Sequence, residues 1–326
     1  RCRHAYHLSM TTQHGQGIAA GSASATQRGA GPRGPSGKRT WWAIAALGLM
    51  AVIGGVLVLL PERILFSYRE HFSILELDRD RPLQPFDHRT ADGLALRSWY
   101  VAASDGLPTI VYFAGRDGDI IHRPAHLVEA IEAGYGLLLV GYRGYGGNPG
   151  VPQEMRMHRD MLALLHQAAQ AGITPYGTIL YGYSMGSAFA AHAAAHSQPL
   201  GVVLEAPIST FLAAVRLQAG RVPGFLVRTR FDNLARMREI RAPVLLLAGE
   251  QDPVTPPSFA FALARNNPEF ASVEIVAGAN HFNIMRLGGH RHVDEFLERL
   301  ARPQGDREQT ASHTAHRGPG AATGGG

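Results

Sequence analysis

Residues 179–186 read Ile-Leu-Tyr-Gly-Tyr-Ser-Met-Gly and lead from a short apolar run straight into the alanine-rich segment Ser187 to Ala195. A serine between two glycines, after a strand and before a helix, sits on a turn too tight for side chains at Gly182 and Gly186. Its hydroxyl is therefore expected to point out of the fold, which is the posture of a nucleophile. A bare G-x-S-x-G arises by chance in a glycine-rich chain, so the weight rests on what surrounds it.

The surroundings alternate between apolar runs and helical stretches. Strands are expected at Leu94 to Val101, Thr109 to Phe113, Gly136 to Val140, Ile179 to Tyr181, Val202 to Leu204, Pro243 to Ala248 and Val273 to Val276. Helices are expected at His122 to Ala133, Glu154 to Ala171, Pro257 to Ala264 and Val293 to Leu300, besides the one after the serine. Buried strands alternating with helices imply an α/β fold, a parallel sheet covered on both faces with its sites at the carboxyl ends of the strands.

Charge is unevenly placed along the 326 residues. Residues 1–40 hold six Lys/Arg and no acid, so the formal net charge of +5 leaves −1 for the rest, and no electrostatic footprint for nucleic acid is expected on the body of the protein. The same stretch lacks large apolar side chains and is expected to be disordered, as is the Gly- and Thr-rich tail at 303–326. Met10 is a plausible start, which would make residues 1–9 an extension. The single cysteine, Cys2, excludes an internal disulfide and a cysteine nucleophile in the core.

Trp41 to Leu60 is twenty residues without a charge. At about 1.5 Å per residue a helix of that length matches a hydrocarbon core of roughly 30 Å. Paired tryptophans, the preceding Lys38 and Arg39 and the closing Pro61 favour an uncleaved anchor at 41–61 over a buried core helix, which would show a polar face, or a cleaved signal. Four Lys/Arg in the twenty residues before the span and three in the twenty after lean toward an inside N-terminus, with the remaining domain outside the cytoplasm.

A serine hydroxyl needs a base, and the base needs a group that fixes its tautomer. Asp252, in the loop Gly249 to Pro256 after an apolar strand, is the expected acid; Glu250 competes, and a turn-forming role for Asp252 is the bland alternative. Among sixteen histidines, His281 follows the last strand in the small-residue loop Gly278 to Asn283 and is the expected base. His290 and His292 are its rivals. They are spaced like a possible metal pair but have no nearby carboxylate or cysteine cluster, and His192 and His196, four apart on one helix face, could also bind a metal but are read as packing or surface histidines, so neither metal nor cofactor is expected. His122, His126, His158 and His166 fall on helices away from the strand ends.

The order Ser184, Asp252, His281 is that of the α/β-hydrolases. Over residues 62–302 the sequence resembles that superfamily, particularly its membrane-anchored, small-capped alpha/beta-hydrolase domain-containing serine hydrolases. Four blocks carry the likeness: Tyr112 to Gly118, Gly141 to Gly146, Gly182 to Gly186, and Gly249 to Pro256 with His281. The resemblance implies an oxyanion hole made by the backbone N–H of Met185 and a second N–H at Arg116, where the family has a His-Gly-Asn turn and this chain has Ala114-Gly115-Arg116. It also departs at Gly141, where the family commonly has Asp. Arg143 is read as bracing its loop rather than holding substrate. A minimal cap is expected at 206–242, two short helices with Phe225, Leu226 and Phe231 as acyl-contacting residues, leaving an open site. The resemblance thus implies a membrane-anchored serine hydrolase taking an acyl ester or thioester. A silent hydrolase-fold module and a peptidase of the same superfamily are the rivals, and oligomeric state is open.

Overall fold

In the computed structural model, residues 81–118, 120 and 123–301 are described, together with four helical residues at the N-terminal side, Trp41, Ile44, Leu47 and Gly48. The chain divides into two units, Arg1–Val52 and Ile53–Gly326. Of the first, only those four exposed residues are described. Most of the expected span at 41–61, His122, and the expected tails at 1–40 and 303–326 lie outside the described residues. Among the described residues no helix is long and apolar enough to cross a membrane.

The second unit is built on an eight-stranded sheet. Its strands are β1 (Gln84–Arg89), β2 (Ala95–Val101), β3 (Thr109–Phe113), β4 (Gly136–Leu139), β5 (Thr178–Tyr183), β6 (Gly201–Glu205), β7 (Val244–Gly249) and β8 (Ala271–Val276). They lie in the order β1-β2-β4-β3-β5-β6-β7-β8. β1 and β2 pair antiparallel, and β2 is antiparallel to β4. Every pairing from β4 through β8 is parallel. β3, β4, β6 and β7 are buried at every residue, which is why they read as unbroken apolar runs rather than alternating ones. β1 had no such signal. Its sequence QPFDHR buries only His88, and its place comes from pairing with β2.

The helices are α1 (Val128–Glu132) after a 3-10 turn at Arg123–Leu127, α2 (Glu154–Gln170), α3 (Gly186–Ala195), α4 (Phe211–Ala219), α5 (Asn233–Met237), α6 (Pro257–Arg265) and α7 (Gly289–Ala301). α3 is buried on every side through Ala194. Alanine on all its faces lets it lie close to the sheet and to its neighbouring helices at once.

Gly141 needs no side chain for a steric reason: a Cβ there would fall 1.8 Å from the Arg97 carbonyl oxygen. The departure from the family pattern at this position is thus dictated by the close approach of β2. Two residues on, Arg143 is 1% exposed. Its Nε and Nη2 donate to Asp160 at 2.5 and 2.7 Å, and Nη1 and Nη2 donate to Asp92 at 2.9 Å each. The guanidinium therefore joins the loop after β4 to α2 and to the β1–β2 turn. Removing it strands the Asp160 carboxylate in the interior. Arg143→Ala is expected to cost about 3–5 kcal/mol, read as a lowered urea midpoint at an unchanged m value.

His158 of α2 and His192 of α3 stack with ring centroids 3.9 Å apart and an interplanar angle of 6°. Both rings are buried, and both nitrogens of His158 and Nδ1 of His192 have no hydrogen-bond partner among the described residues. Burial lowers His158 to about 3, with His192, Arg236 and His196 adding to it. Burial lowers His192 to about 4, with His196 and Arg236 contributing. Both folded values lie below the unfolded value of 6.5, so the unfolded chain binds protons first. Stability is full above pH 6.5 and falls as the pH drops toward 4, by on the order of 3 kcal/mol from His192 alone. Thermal melts across that window should show the loss, and His192→Gln should reduce it by about half, the rest remaining with His158.

Candidate functional site

The turn between β5 and α3 is forced by its glycines. A Cβ on Gly182 would lie 2.5 Å from the Gly186 carbonyl oxygen, and one on Gly186 would lie 2.0 Å from the Phe113 carbonyl oxygen. Between them Ser184 takes φ 52°, a left-handed conformation that costs a non-glycine residue roughly 1 kcal/mol or more. Its backbone is held from both sides: the N–H donates to the Glu205 carbonyl at 2.8 Å, and its carbonyl accepts from the Ser187 hydroxyl at 2.6 Å. Backbone bonding at both ends keeps the strained turn in place and leaves the Ser184 side chain partly exposed.

Two further loops reach the hydroxyl. The loop after β8 brings His281 Nε2 to 3.0 Å from Ser184 Oγ. The loop after β7 brings Asp252 Oδ2 to 2.8 Å from His281 Nδ1. With the proton on Nδ1 directed at the carboxylate, Nε2 is left as an acceptor facing the serine. The loops can approach each other because Gly249 has no side chain; a Cβ there would meet the Ala279 carbonyl oxygen at 2.6 Å. Gln251 N–H completes the tie to Ala279 at 2.8 Å.

Asp252 is 3% exposed. Burial acts to raise its carboxyl, but the His281 hydrogen bond, the imidazole's charge and bonds from Thr255 outweigh burial and hold it below its ordinary value. Oδ1 accepts the N–H groups of Val254 and Thr255 at 2.7 and 2.8 Å, and Oδ2 accepts the Thr255 hydroxyl at 2.8 Å. The turn-forming role weighed for Asp252 is thus real for one oxygen, while the other faces His281. Glu250, the competing carboxylate, accepts from Gly278 N–H at 2.8 Å and stays in the loop. His290 bonds the Met285 carbonyl and His292 faces Glu274, so neither rival histidine joins the serine.

Thr255 and Tyr183 were not singled out from the sequence. The Thr255 hydroxyl lies 3.2 Å from His281 Nδ1 as well as on Asp252. Tyr183 donates its hydroxyl to the His281 carbonyl at 3.0 Å, which ties the histidine loop back to the strand that carries the serine. The Asp-x-x-Thr spacing was the available signal for Thr255; nothing local marked Tyr183.

Met185 is the N-cap of α3 and is 3% exposed, so its N–H lies at the amino end of a helix whose dipole favours negative charge there. Arg116 sits in a tight turn closed by Gly118 N–H donating to the Gly115 carbonyl at 3.1 Å. That turn adjoins the serine, since a Cβ on Gly115 would be 3.6 Å from Ser184 Cβ. The Arg116 side chain is exposed and its carbonyl accepts from the Tyr145 hydroxyl at 3.2 Å.

Among the expected acyl-contacting residues, Phe225 is 83% exposed, whereas Phe231 is 1% exposed. Phe231 packs against Phe189 and Phe211 with centroids 5.3 and 6.2 Å away, so it belongs to the core. Among the described residues no group of three or more His, Cys, Asp or Glu is arranged to hold a metal ion.

A mostly parallel eight-stranded sheet, with a serine on a strained strand-to-helix turn and an acid and a histidine following in that order, is the architecture of the α/β-hydrolase superfamily. A family profile described as TAP-like protein matches residues 225–309. The chain is 28% identical over 226 residues to an uncharacterized protein of Mycobacterium tuberculosis, covering 68% of this chain and 79% of that one. It is 32% identical over 198 residues to human protein ABHD12B, covering 52% and 53%. In fold it is similar to the Pyrococcus furiosus esterase Pf2001, with a TM-score of 0.58 at 17% identity over 72% of this chain and all of that one.

Proposed function

We propose that this protein is a membrane-anchored serine hydrolase that cleaves carboxylic esters or thioesters through an acyl-enzyme. The observation that carries the reading is the relay from Ser184 Oγ to His281 Nε2 at 3.0 Å and from His281 Nδ1 to Asp252 at 2.8 Å. In this reading Ser184 Oγ attacks the acyl carbonyl while His281 Nε2 takes its proton. The charge that forms on the carbonyl oxygen is met by the Met185 N–H and a second N–H at Arg116, each donor worth about 2.7–4 kcal/mol. His281 then gives its proton to the departing alcohol or thiol. Water, deprotonated by the same nitrogen, releases the acid. Asp252 keeps the imidazole in its productive tautomer and stabilises it once charged. The anchor is assigned to residues 41–60 and the catalytic domain to the outer side of the membrane.

Ester and thioester cleavage is preferred over peptide cleavage because, among the described residues, only the short stretch between β6 and β7 stands in the position of a cap. The Ala114-Gly115-Arg116 turn favours a second reading, a silent hydrolase fold that serves as a tethered interaction module. A fluorophosphonate probe separates the two. Labelling of the full chain, mapped by mass spectrometry to the peptide containing Ser184 and absent in Ser184→Ala, is the expected result; a folded protein that stays unlabelled overturns the enzyme reading.

A further inference from the structure

The stretch from α4 to Phe231 carries Arg216, Arg221, Arg228 and Arg230 and no acidic residue. Residues 41–326 carry −1 in all, so the same region without this stretch carries −5. The positive charge is concentrated in one stretch of an otherwise acidic sequence. All four arginines are exposed, and among the described residues none of them is in an ion pair.

Exposed apolar tips lie among them. Leu217 is 48% exposed and Phe225 is 83% exposed. From Val227 to Phe231 the chain alternates, with Val227, Thr229 and Phe231 buried and Arg228 and Arg230 pointing out. This is an anchored ledge rather than a loose loop. Glu154 of α2 accepts the N–H groups of Arg230 and Phe231 at 2.7 and 2.8 Å, and Phe211 N–H donates to the Arg230 carbonyl at 3.0 Å. The ledge also adjoins the candidate site: Gln218 donates to the Pro253 carbonyl at 3.2 Å, in the loop that carries Asp252. On the histidine loop, Phe282 is 66% exposed beside His281.

Arginines interspersed with an outward leucine and phenylalanine suit a headgroup layer, where guanidinium groups meet phosphates and the apolar tips enter the acyl boundary. We infer that the ledge from Phe211 to Phe231 docks on an anionic phospholipid surface and sets the serine site at the bilayer, so that the substrate is an acyl ester or thioester presented from that surface. The substrate part of this inference rests on the hydrolase reading; the docking part does not.

The test uses the full chain in nanodiscs, either all phosphatidylcholine or with about a third phosphatidylglycerol. Hydrogen exchange is followed in peptides spanning 211–231, with α7 as the internal reference. The amides of 211–231 should exchange about tenfold more slowly in the anionic discs, and about 0.5 M sodium chloride should abolish the difference. Arg221→Gln with Arg228→Gln should remove most of that protection, since each arginine contributes roughly five-fold to the affinity for the anionic surface. Salt reversal on the unaltered protein keeps the test decisive if that variant folds poorly. Equal exchange in the two lipid compositions, or protection that is the same in both and indifferent to salt, overturns the docking surface. Fluorophosphonate labelling of the same samples keeps the two ideas apart: protection without labelling leaves the surface and removes the hydrolase, and labelling without protection does the reverse.

Discussion

Ser184→Ala is expected to lower kcat by about 10⁴–10⁶-fold while leaving the melting temperature nearly unchanged. The hydroxyl is the nucleophile in the proposed reaction, and it is bonded to His281 Nε2. The backbone at this position makes the structural bonds, through the Glu205 carbonyl and the Ser187 hydroxyl, and alanine keeps both. Alanine inherits the same left-handed strain at φ 52°, so no strain is relieved. Ser184→Gly makes the complementary case: equally inactive, yet more stable by roughly 1 kcal/mol because glycine adopts this φ freely. Turnover of a short-chain thioester and thermal melts of both variants check the pair. Comparable turnover in Ser184→Ala would remove Ser184 from the chemistry.

Asp252→Asn should cost about 10⁴-fold in kcat with little change in KM. The geometry gives the reason. Oδ1 accepts two backbone N–H groups, so the amide's carbonyl oxygen must take that place and its NH2 must face His281 Nδ1. An NH2 there obliges Nδ1 to accept, which moves the imidazole proton to Nε2 and points it at the serine, the wrong tautomer for taking a proton. The native carboxyl is held below 3.8, so above that pH it remains ionised and should not itself limit activity. Substitution at Thr255, whose hydroxyl bridges the same two groups, should have a smaller effect in the same direction.

The candidate site was readable because each member stands in a glycine-containing loop directly after a strand. Gly182 and Gly186 flank Ser184, Gly249 precedes Asp252, and Gly278 and Ala279 precede His281. Glycines are required where chains pass within contact distance, and the structure places a backbone atom against a Cβ at Gly182, Gly186 and Gly249. What was missed is of another kind. The tie from Tyr183 to the His281 carbonyl spans 98 residues, and Glu154 reaches backbone groups 76 and 77 residues away. No local pattern encodes such pairs. Phe231 looks substrate-facing in the sequence because an aromatic residue in a short insert looks the same whether it points in or out; packing against Phe189 and Phe211 turns it inward.

The sequence alone determined the alternating α/β architecture, the tight serine turn and the order of nucleophile, acid and histidine, because these follow from hydrophobic periodicity and from the steric freedom of glycine, which are properties of neighbouring residues. Only the tertiary structure decided that Ser184, His281 and Asp252 come within hydrogen-bond distance, that Arg143 braces two carboxylates, and that the arginines from α4 to Phe231 are all exposed. Those outcomes depend on which strands lie side by side and how closely their loops approach, a balance of packing and backbone bonding set by the whole sheet.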